Sequence, residues 1–476
     1  MTNQDASAAT VSPAQALRGL WLEAGLPAQA LARARLQGAE PALPSSFAVG
    51  TAAQASIAAA ALAAAELGQR RNGVQQLVSV NMRHAALECC THFTLDGRQP
   101  EMWDKLSGLY PCGEGSTAGW VRIHANFAHH RDGALRLLGL PEGAATDRDA
   151  VVKALRAWRA EEFENAAADA GLVVAALRSF AQWDEHPQSK AVAQGPLIRI
   201  EKIGDAPPRE LPPLRADERP LHGLRVLDLT RILAGPVGAR ALAAYGADVL
   251  LVNAPHLPNI EAIAETSRGK LSALADLRAD GDRINFERVL RDAHIFIQGY
   301  RPGGLEALGY GAQQVAALRP GVVVVSLSAY GLDGPWSARR GFDSLVQTAT
   351  GFNLAEAQAR GTATPRAMPA QILDHASGYL IALGAQAALL RQLHEGGSWH
   401  VQVSLARTAH WLRSLGRVEN GFDAPKPDFT ALLETSQSGF GELRAVRHAA
   451  RFSATPAAWL RPSMPPGSHA LAWPGD

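Results

Sequence analysis

The stretch "LRVLDLTRILAGPVGARALAAYGADVLLVN", residues 224–253, decides the fold. It opens on an aliphatic run, "LRVLDL", breaks at "AGPVG", continues as the helical "ARALAAYG" and closes on a second aliphatic run, "ADVLLVN". Val/Leu runs of this length are too short for buried helices. Separated by a helix, they read as parallel strands with both faces covered. The pattern repeats downstream: "AHIFIQG" (293–299) and "GVVVVSLS" (321–328) follow helix-period segments such as "DRINFERVLRD", and "SWHVQVSLA" (398–406) predicts a further strand. The fold class is therefore α/β, built on a parallel, Rossmann-like sheet.

Upstream, "GDAPPRELPPLRADERPLHG" (204–223) packs five prolines among charges, the composition of an extended linker. The expected organisation is an N-terminal helical segment (1–44), a first half (45–205), the Pro-rich linker (206–220) and a second half (221–476). In the first half, "AAQASIAAAALAAAELGQRR" predicts a helix, with strands at "GVQQLVSVNM" and "GWVRIHAN". "DAVVKALRAWRAEEFENAAADAG" predicts one amphipathic helix ending at Gly171, and "SMPPGSHALAWPGD" a tail on the surface. A faint repeat links "ASIAAAALAAAELGQRRNGVQQLVSVNMRHA" (55–85) to "YLIALGAQAALLRQLHEGGSWHVQVSLARTA" (379–409): helix, polar turn with Gly, strand, then R-x-A.

Composition narrows the function. A net charge of +1, with no basic stripe among aromatics, argues against a nucleic-acid partner. Cys89, Cys90 and Cys112 lack metal spacing and suit a reducing compartment. The start, "MTNQDASAATVSPAQ", is polar, and the longest apolar stretch, "SIAAAALAAAEL" (56–67), is too short to span a bilayer. The expectation is a cytoplasmic protein with no membrane partner.

Four places carry candidate chemistry. Asp374, in "ILDHASGY" at the mouth of a long Ala/Leu helix, is either an N-cap or a carboxylate poised as nucleophile or general base. Gly235 and Gly238 make a partial match to a nucleotide-binding turn, or belong to a plain strand–helix turn. Arg301, in the loop after a strand, suits a phosphate or carboxylate, or is solvated; Tyr330 is a candidate for ring stacking. His129 and His130 read as surface histidines rather than metal ligands, because adjacent side chains diverge.

Taken together and in order, these segments resemble the class III CoA-transferases, the CaiB/BaiF family. The matching residues are "LHGLRVLDLTRILAGP" (221–236), "YGADVLLV" (245–252), "SRGK" (267–270), "GYRPGGLEALGYG" (299–311), "LRPGVVVVSLSAYGLDGPW" (318–336), "RGFDSLVQTATGF" (340–352) and "ILDHASGY" (372–379). The resemblance implies the family's parallel sheet with a smaller α+β domain. It implies Asp374 as the nucleophile, with acyl-CoA and a small carboxylic acid as partners and no metal. In the family's mechanism the carboxylate attacks the acyl-CoA carbonyl, giving a mixed anhydride and CoA thiolate, then an aspartyl-CoA thioester. CoA-site positions implied by it are Ile232, Leu233, Ala234, Leu277, Gly299, Tyr300, Arg301 and Tyr330. A homodimer or an intramolecular pseudo-dimer is expected.

Departures from the family pattern also matter. Asn253 stands where a Glu is usual; Ala254 and Ala307 stand where basic residues occur. Family racemases carry a His at the position of Phe342, and Phe cannot serve as one of the two bases racemisation needs. A non-catalytic CoA-ester-binding paralogue is the other alternative. The segment from "YPCGEGSTAGWVRIHAN" to "WDEHPQSKA" resembles the family's smaller domain but precedes the large one, so the chain reads as two degenerate copies in tandem.

Overall fold

A computed structural model describes residues 10–475; residues 1–9 of the polar start, and Asp476, lie outside it. Its centre is a seven-stranded sheet: β1 (Arg199–Gly204), β2 (Arg225–Leu229), β3 (Asp248–Asn253), β4 (Lys270–Leu274), β5 (Ile295–Gln298), β6 (Val323–Ser328) and β7 (Ser398–Ser404). The spatial order is β4-β3-β2-β5-β6-β7-β1, and every pairing is parallel except the edge pair of β7 with β1. The aliphatic runs of β2, β3, β5 and β6 are buried, as covered parallel strands must be.

Two of the strands had no legible signal. β4, "KLSAL", carries no β-branched residue and begins with a lysine. That Lys270 is fully buried, its Nζ 2.9 Å from Asp228 Oδ2 and 2.9 Å from the Pro236 carbonyl. Removing one partner of such a pair costs about 3–5 kcal/mol, since the other charge is left unmatched. β1 lies just before the Pro-rich segment yet completes the sheet of the second half. The Pro-rich segment is extended and also pinned: the Arg71 guanidinium donates to the carbonyls of Pro212, Pro220 and His222.

Two helices of 24 residues, Val49–Asn72 and Ile372–Glu395, pack against each other in the main apolar core. The first is long and apolar enough to cross a membrane, more so than its 56–67 centre suggests, and it is enclosed by the protein. The halves also interleave in small sheets. Val78–Asn81 pairs with Ala34–Gln37 and with Ala450–Phe452 near the C-terminus, and Phe93–Leu95 joins Gly441–Val446. Buried Glu88 accepts the Tyr379 hydroxyl at 2.8 Å and the Ala449 amide at 2.8 Å, tying the halves together.

A smaller α+β unit in the first half has the strands Gly108–Cys112, Gly119–Ile123 and Val174–Ala176, all antiparallel, with its own apolar core. The single helix expected to end at Gly171 is two, Arg148–Leu155 and Ala160–Asp169. Trp158 sits in the break and packs on Phe163 (5.3 Å between centroids), letting each helix cover a different strand. The C-terminal segment is no surface tail. Trp473 is 2% exposed in the second core, and its indole N–H reaches the Val289 carbonyl at 2.9 Å. An indole buried with its one donor satisfied is strongly anchored.

Candidate active site

The second long helix begins at Ile372, and no side chain caps it. Asp374 is therefore not the N-cap. Its backbone N–H is already taken: it donates to Asp343 Oδ2 at 3.0 Å. Asp343 is fully buried at the start of the helix Asp343–Ala349, and its other oxygen accepts from Gln347 at 2.5 Å. Among the described residues none donates to the Asp374 carboxylate, which is 8% exposed. Burial first, then the neighbouring Asp343 charge, raises the Asp374 pKa well above the usual carboxylate range; burial lifts Asp343 to about 7. A buried carboxyl with no partner is unfavourable for folding alone, and such placements concentrate at functional sites.

Close backbone packing puts this carboxylate beside the first turn of the sheet domain. Gly378 leaves no room for a side chain: a Cβ there would lie 2.5 Å from the Ala234 carbonyl. Gly238 mirrors it, since a Cβ there would lie 2.6 Å from the Gly378 carbonyl. Gly238 of "AGPVG" thus serves helix packing, while Gly235 lets the turn close on itself, since a Cβ there would lie 2.4 Å from the Thr230 Cβ. The turn itself is strained. Ile232 has φ +77, a left-handed conformation rare for a β-branched residue, and strain of this kind clusters at functional sites. Asp228 anchors the turn by accepting the Thr230 amide (3.0 Å) and hydroxyl (2.5 Å).

Asp374 lies in the wall of a cavity of about 360 Å³. Ile232, Leu233, Ala234, Gly299, Tyr300 and Arg301 line the same cavity. Leu277 and Tyr330 do not. Leu277 is buried in the second core cluster, and Tyr330 is sealed edge-on against Trp336, 5.0 Å between centroids, with burial raising its hydroxyl pKa. The stacking role expected of Tyr330 is thereby corrected: its ring is spent on packing.

The sequence reading missed most of the cavity's charge. Arg231, Arg339 and Arg340 join Arg301 in its wall, and Asp374 is the single acid there. These cations come from other segments than Asn253, Ala254 and Ala307, where the family pattern carries charge. Burial lowers the Arg231 pKa, and its Nε is buried with no hydrogen-bond partner. His130 corrects the surface reading of the histidine pair: it is 5% exposed, lines the cavity, and neither ring nitrogen has a partner. Desolvation pushes its pKa down to about 3, so the ring is neutral at physiological pH. His129 is exposed, as expected. No cluster of three or more metal-ligating side chains occurs among the described residues. One visible signal was available, because Arg339 and Arg340 directly precede "GFDSLVQ".

Residues 221–416 match the model of CoA-transferase family III. The chain is similar to a probable fatty acyl-CoA transferase of Mycobacterium tuberculosis, 32% identical over 230 residues, covering 44% of this chain and 57% of that one. It is also similar to a succinate–glutarate CoA-transferase of Agrobacterium fabrum, 29% identical over 205 residues (39% of this chain, 51% of the relative). A crystal structure of a hypothetical protein from M. tuberculosis matches 42% of this chain and 58% of its own length at 32% identity, with a TM-score of 0.38. The chain spans about half the length, or less, of the curated relatives it matches.

Proposed function

We propose that this protein transfers coenzyme A from an acyl-CoA to a free carboxylic acid, with Asp374 as the nucleophile. The observation that carries the reading is the state of that carboxylate. It sits at the start of a buried helix, unbonded, in the wall of an arginine-lined cavity, while Asp343 takes over the capping of its backbone. A structural acid would be hydrogen-bonded or ion-paired. The arginines suit the phosphates of CoA. The uncapped first turn at Leu233–Ala234 adds backbone N–H groups and a favourable helix end.

The chemistry then follows from the carboxylate. One Asp374 oxygen attacks the thioester carbonyl carbon; the C–S bond breaks and CoA leaves as thiolate. The thiolate attacks the aspartyl carbonyl of the mixed anhydride, forming an aspartyl-CoA thioester and releasing the first acid as its carboxylate. The acceptor carboxylate attacks that thioester, and the returning thiolate takes the new acyl group, restoring Asp374. No net proton is consumed.

The first half's part follows from Phe127, His130 and Val173, which line the cavity from the smaller unit. We propose that the halves are degenerate copies acting as an intramolecular pseudo-dimer. A second reading, proton exchange at the acyl Cα, has one observation in its favour. His124 stacks on Phe342 at 4.0 Å and His130 lies 6.2 Å from it, so bases stand near the position that lacks one. Intact-mass measurement after incubation with an acyl-CoA tests the first reading: a covalent adduct should form and be absent in Asp374→Asn. Deuterium uptake at Cα without any adduct would replace it with the second.

A further inference from the structure

A second cavity, of about 370 Å³, meets the first at Asp374; Ile232, Leu233, Phe342 and Asp374 line both. Its character is different. Met102, Trp103, Ile260 and Pro369 supply apolar wall, and the wall holds no arginine or lysine and no acid besides Asp374. Behind this wall Arg122 stands over the Trp103 ring, 5.5 Å from its centroid, facing the charge of buried Asp343. Two polar atoms of the wall are buried without partners, His124 Nδ1 and Ser344 Oγ. Ser344 follows Asp343, the residue bonded to the Asp374 amide, and His124 stacks on Phe342. Both therefore belong to the end of the cavity near Asp374. Two other polar wall residues are engaged: Thr91 with His375 at 2.8 Å, and Asn126 with the Met102 carbonyl at 2.9 Å.

We propose that this second cavity holds the carbon skeleton of the acid, and that it selects monocarboxylic acids with an uncharged, apolar body over dicarboxylates. The inference rests on the transferase reading above and names its substrate class. The arginine-lined cavity suits the CoA phosphates, which leaves the apolar one for the acid. The acid's carboxylate meets Asp374 at the shared end, where Ser344 and His124 supply the unmatched hydrogen-bonding atoms. Its body then lies on Met102, Trp103 and Ile260, where a second carboxylate would find no counter-ion.

Isotope exchange between a labelled acid and its own CoA ester tests this with the full chain, since one acid then serves as donor and acceptor. Phenylacetate with phenylacetyl-CoA should exchange with a kcat/KM at least about tenfold above succinate with succinyl-CoA. Ser344→Ala should raise the KM for phenylacetate about tenfold, the loss expected when a buried hydrogen bond to a charged group is removed. Ile260→Arg, on a half-buried loop, places a cation in the wall and should move the preference toward succinate at least about fivefold. Succinate exchanging as fast as phenylacetate overturns the pocket assignment while leaving Asp374 as nucleophile. An unchanged preference in Ile260→Arg overturns it too. Exchange with neither acid also overturns it, and the presence or absence of the acyl-CoA adduct then shows whether the transferase reading has fallen with it.

Discussion

The two long helices of the core are alike in length, and each runs on into a strand and a shorter helix, yet one of them carries a buried carboxylate in the wall of two cavities and the other does not. Val49–Asn72 leads to the strand Val78–Asn81 and a helix capped by Asn81; Ile372–Glu395 leads to β7 and a helix capped by Ser404. At both starts the first-turn amides are satisfied by an acid from elsewhere in the chain. Glu40 accepts the Thr51 amide at 2.7 Å and the Ala42 amide at 3.0 Å; Asp343 accepts the Asp374 amide at 3.0 Å. The difference lies on the helices themselves. The first helix has Gly50 near its start, crowded by Ala42, where a Cβ would lie 2.6 Å from the alanine Cβ. The second has Asp374 beside two cavities. With its first-turn amide bonded to Asp343, the second helix keeps its own acid free of any capping bond.

The largest expected effect breaks the Asp374 side of that comparison. Asp374→Asn should lower transfer by about a thousandfold or more, the scale seen when a nucleophile is removed. Its melting temperature should hold or rise, because a buried carboxyl without a partner has been made neutral. A clear drop in melting temperature would return Asp374 to a structural role. The converse variant, Gly50→Asp, should lose stability through its clash with Ala42 and confer no activity in an Asp374→Asn background.

Next is the contact that seats the second helix. Gly378→Ala forces a methyl against the Ala234 carbonyl and should cost about 1–3 kcal/mol in chemical denaturation. Its kcat should fall by up to about a hundredfold, because Asp374 moves relative to the turn at Ile232. A fully active variant of normal stability would deny that the glycine pair sets the site.

A smaller effect concerns pH. Asp343 and Asp374 both have folded-state values raised above the unfolded ones, Asp343 to about 7, so above the ordinary carboxylate range the native state binds more protons than the unfolded chain until both have ionised. Stability from this pair is therefore full at low pH and is lost as pH rises through that window. Activity should run the other way, rising as Asp374 ionises. Asp343→Asn keeps an oxygen for the Asp374 amide and removes the neighbouring charge. The acidic limb of kcat/KM should then move to lower pH, and stability should depend less on pH. An unmoved limb would show that the two carboxyls do not interact.

The smallest effect sharpens the structural side. Glu40→Gln retains an acceptor for the first helix, so stability should change by about 1 kcal/mol or less, with transfer within twofold of wild type. A large loss of transfer would mean that the first helix also serves the chemistry.

Much of this contrast could be read along the chain, and the part that could not has a physical reason. "LRVLDL", "ADVLLVN" and "GVVVVSLS" announced their strands because fully covered parallel strands leave a one-dimensional apolar signature. β4 did not, since Lys270 is stabilised by Asp228, more than 40 positions away and silent in a local pattern. Asp374 was legible as a choice between cap and nucleophile. Its release from capping was not, because Asp343 stands 31 positions earlier and meets it only in the fold. His124 and His130 come from the other half of the chain, and only tertiary packing brings them to Phe342.

The most direct test of the central claim is chemical trapping of Asp374. As an anhydride or thioester its carbonyl becomes electrophilic, which a capping or general-base carboxylate never does. Hydroxylamine added with a working acyl-CoA should inactivate the protein and leave a hydroxamate within "AMPAQILDHASGYLIALGAQAALLR", with no effect in the absence of the thioester. Turnover that leaves this peptide unmodified would contradict the account.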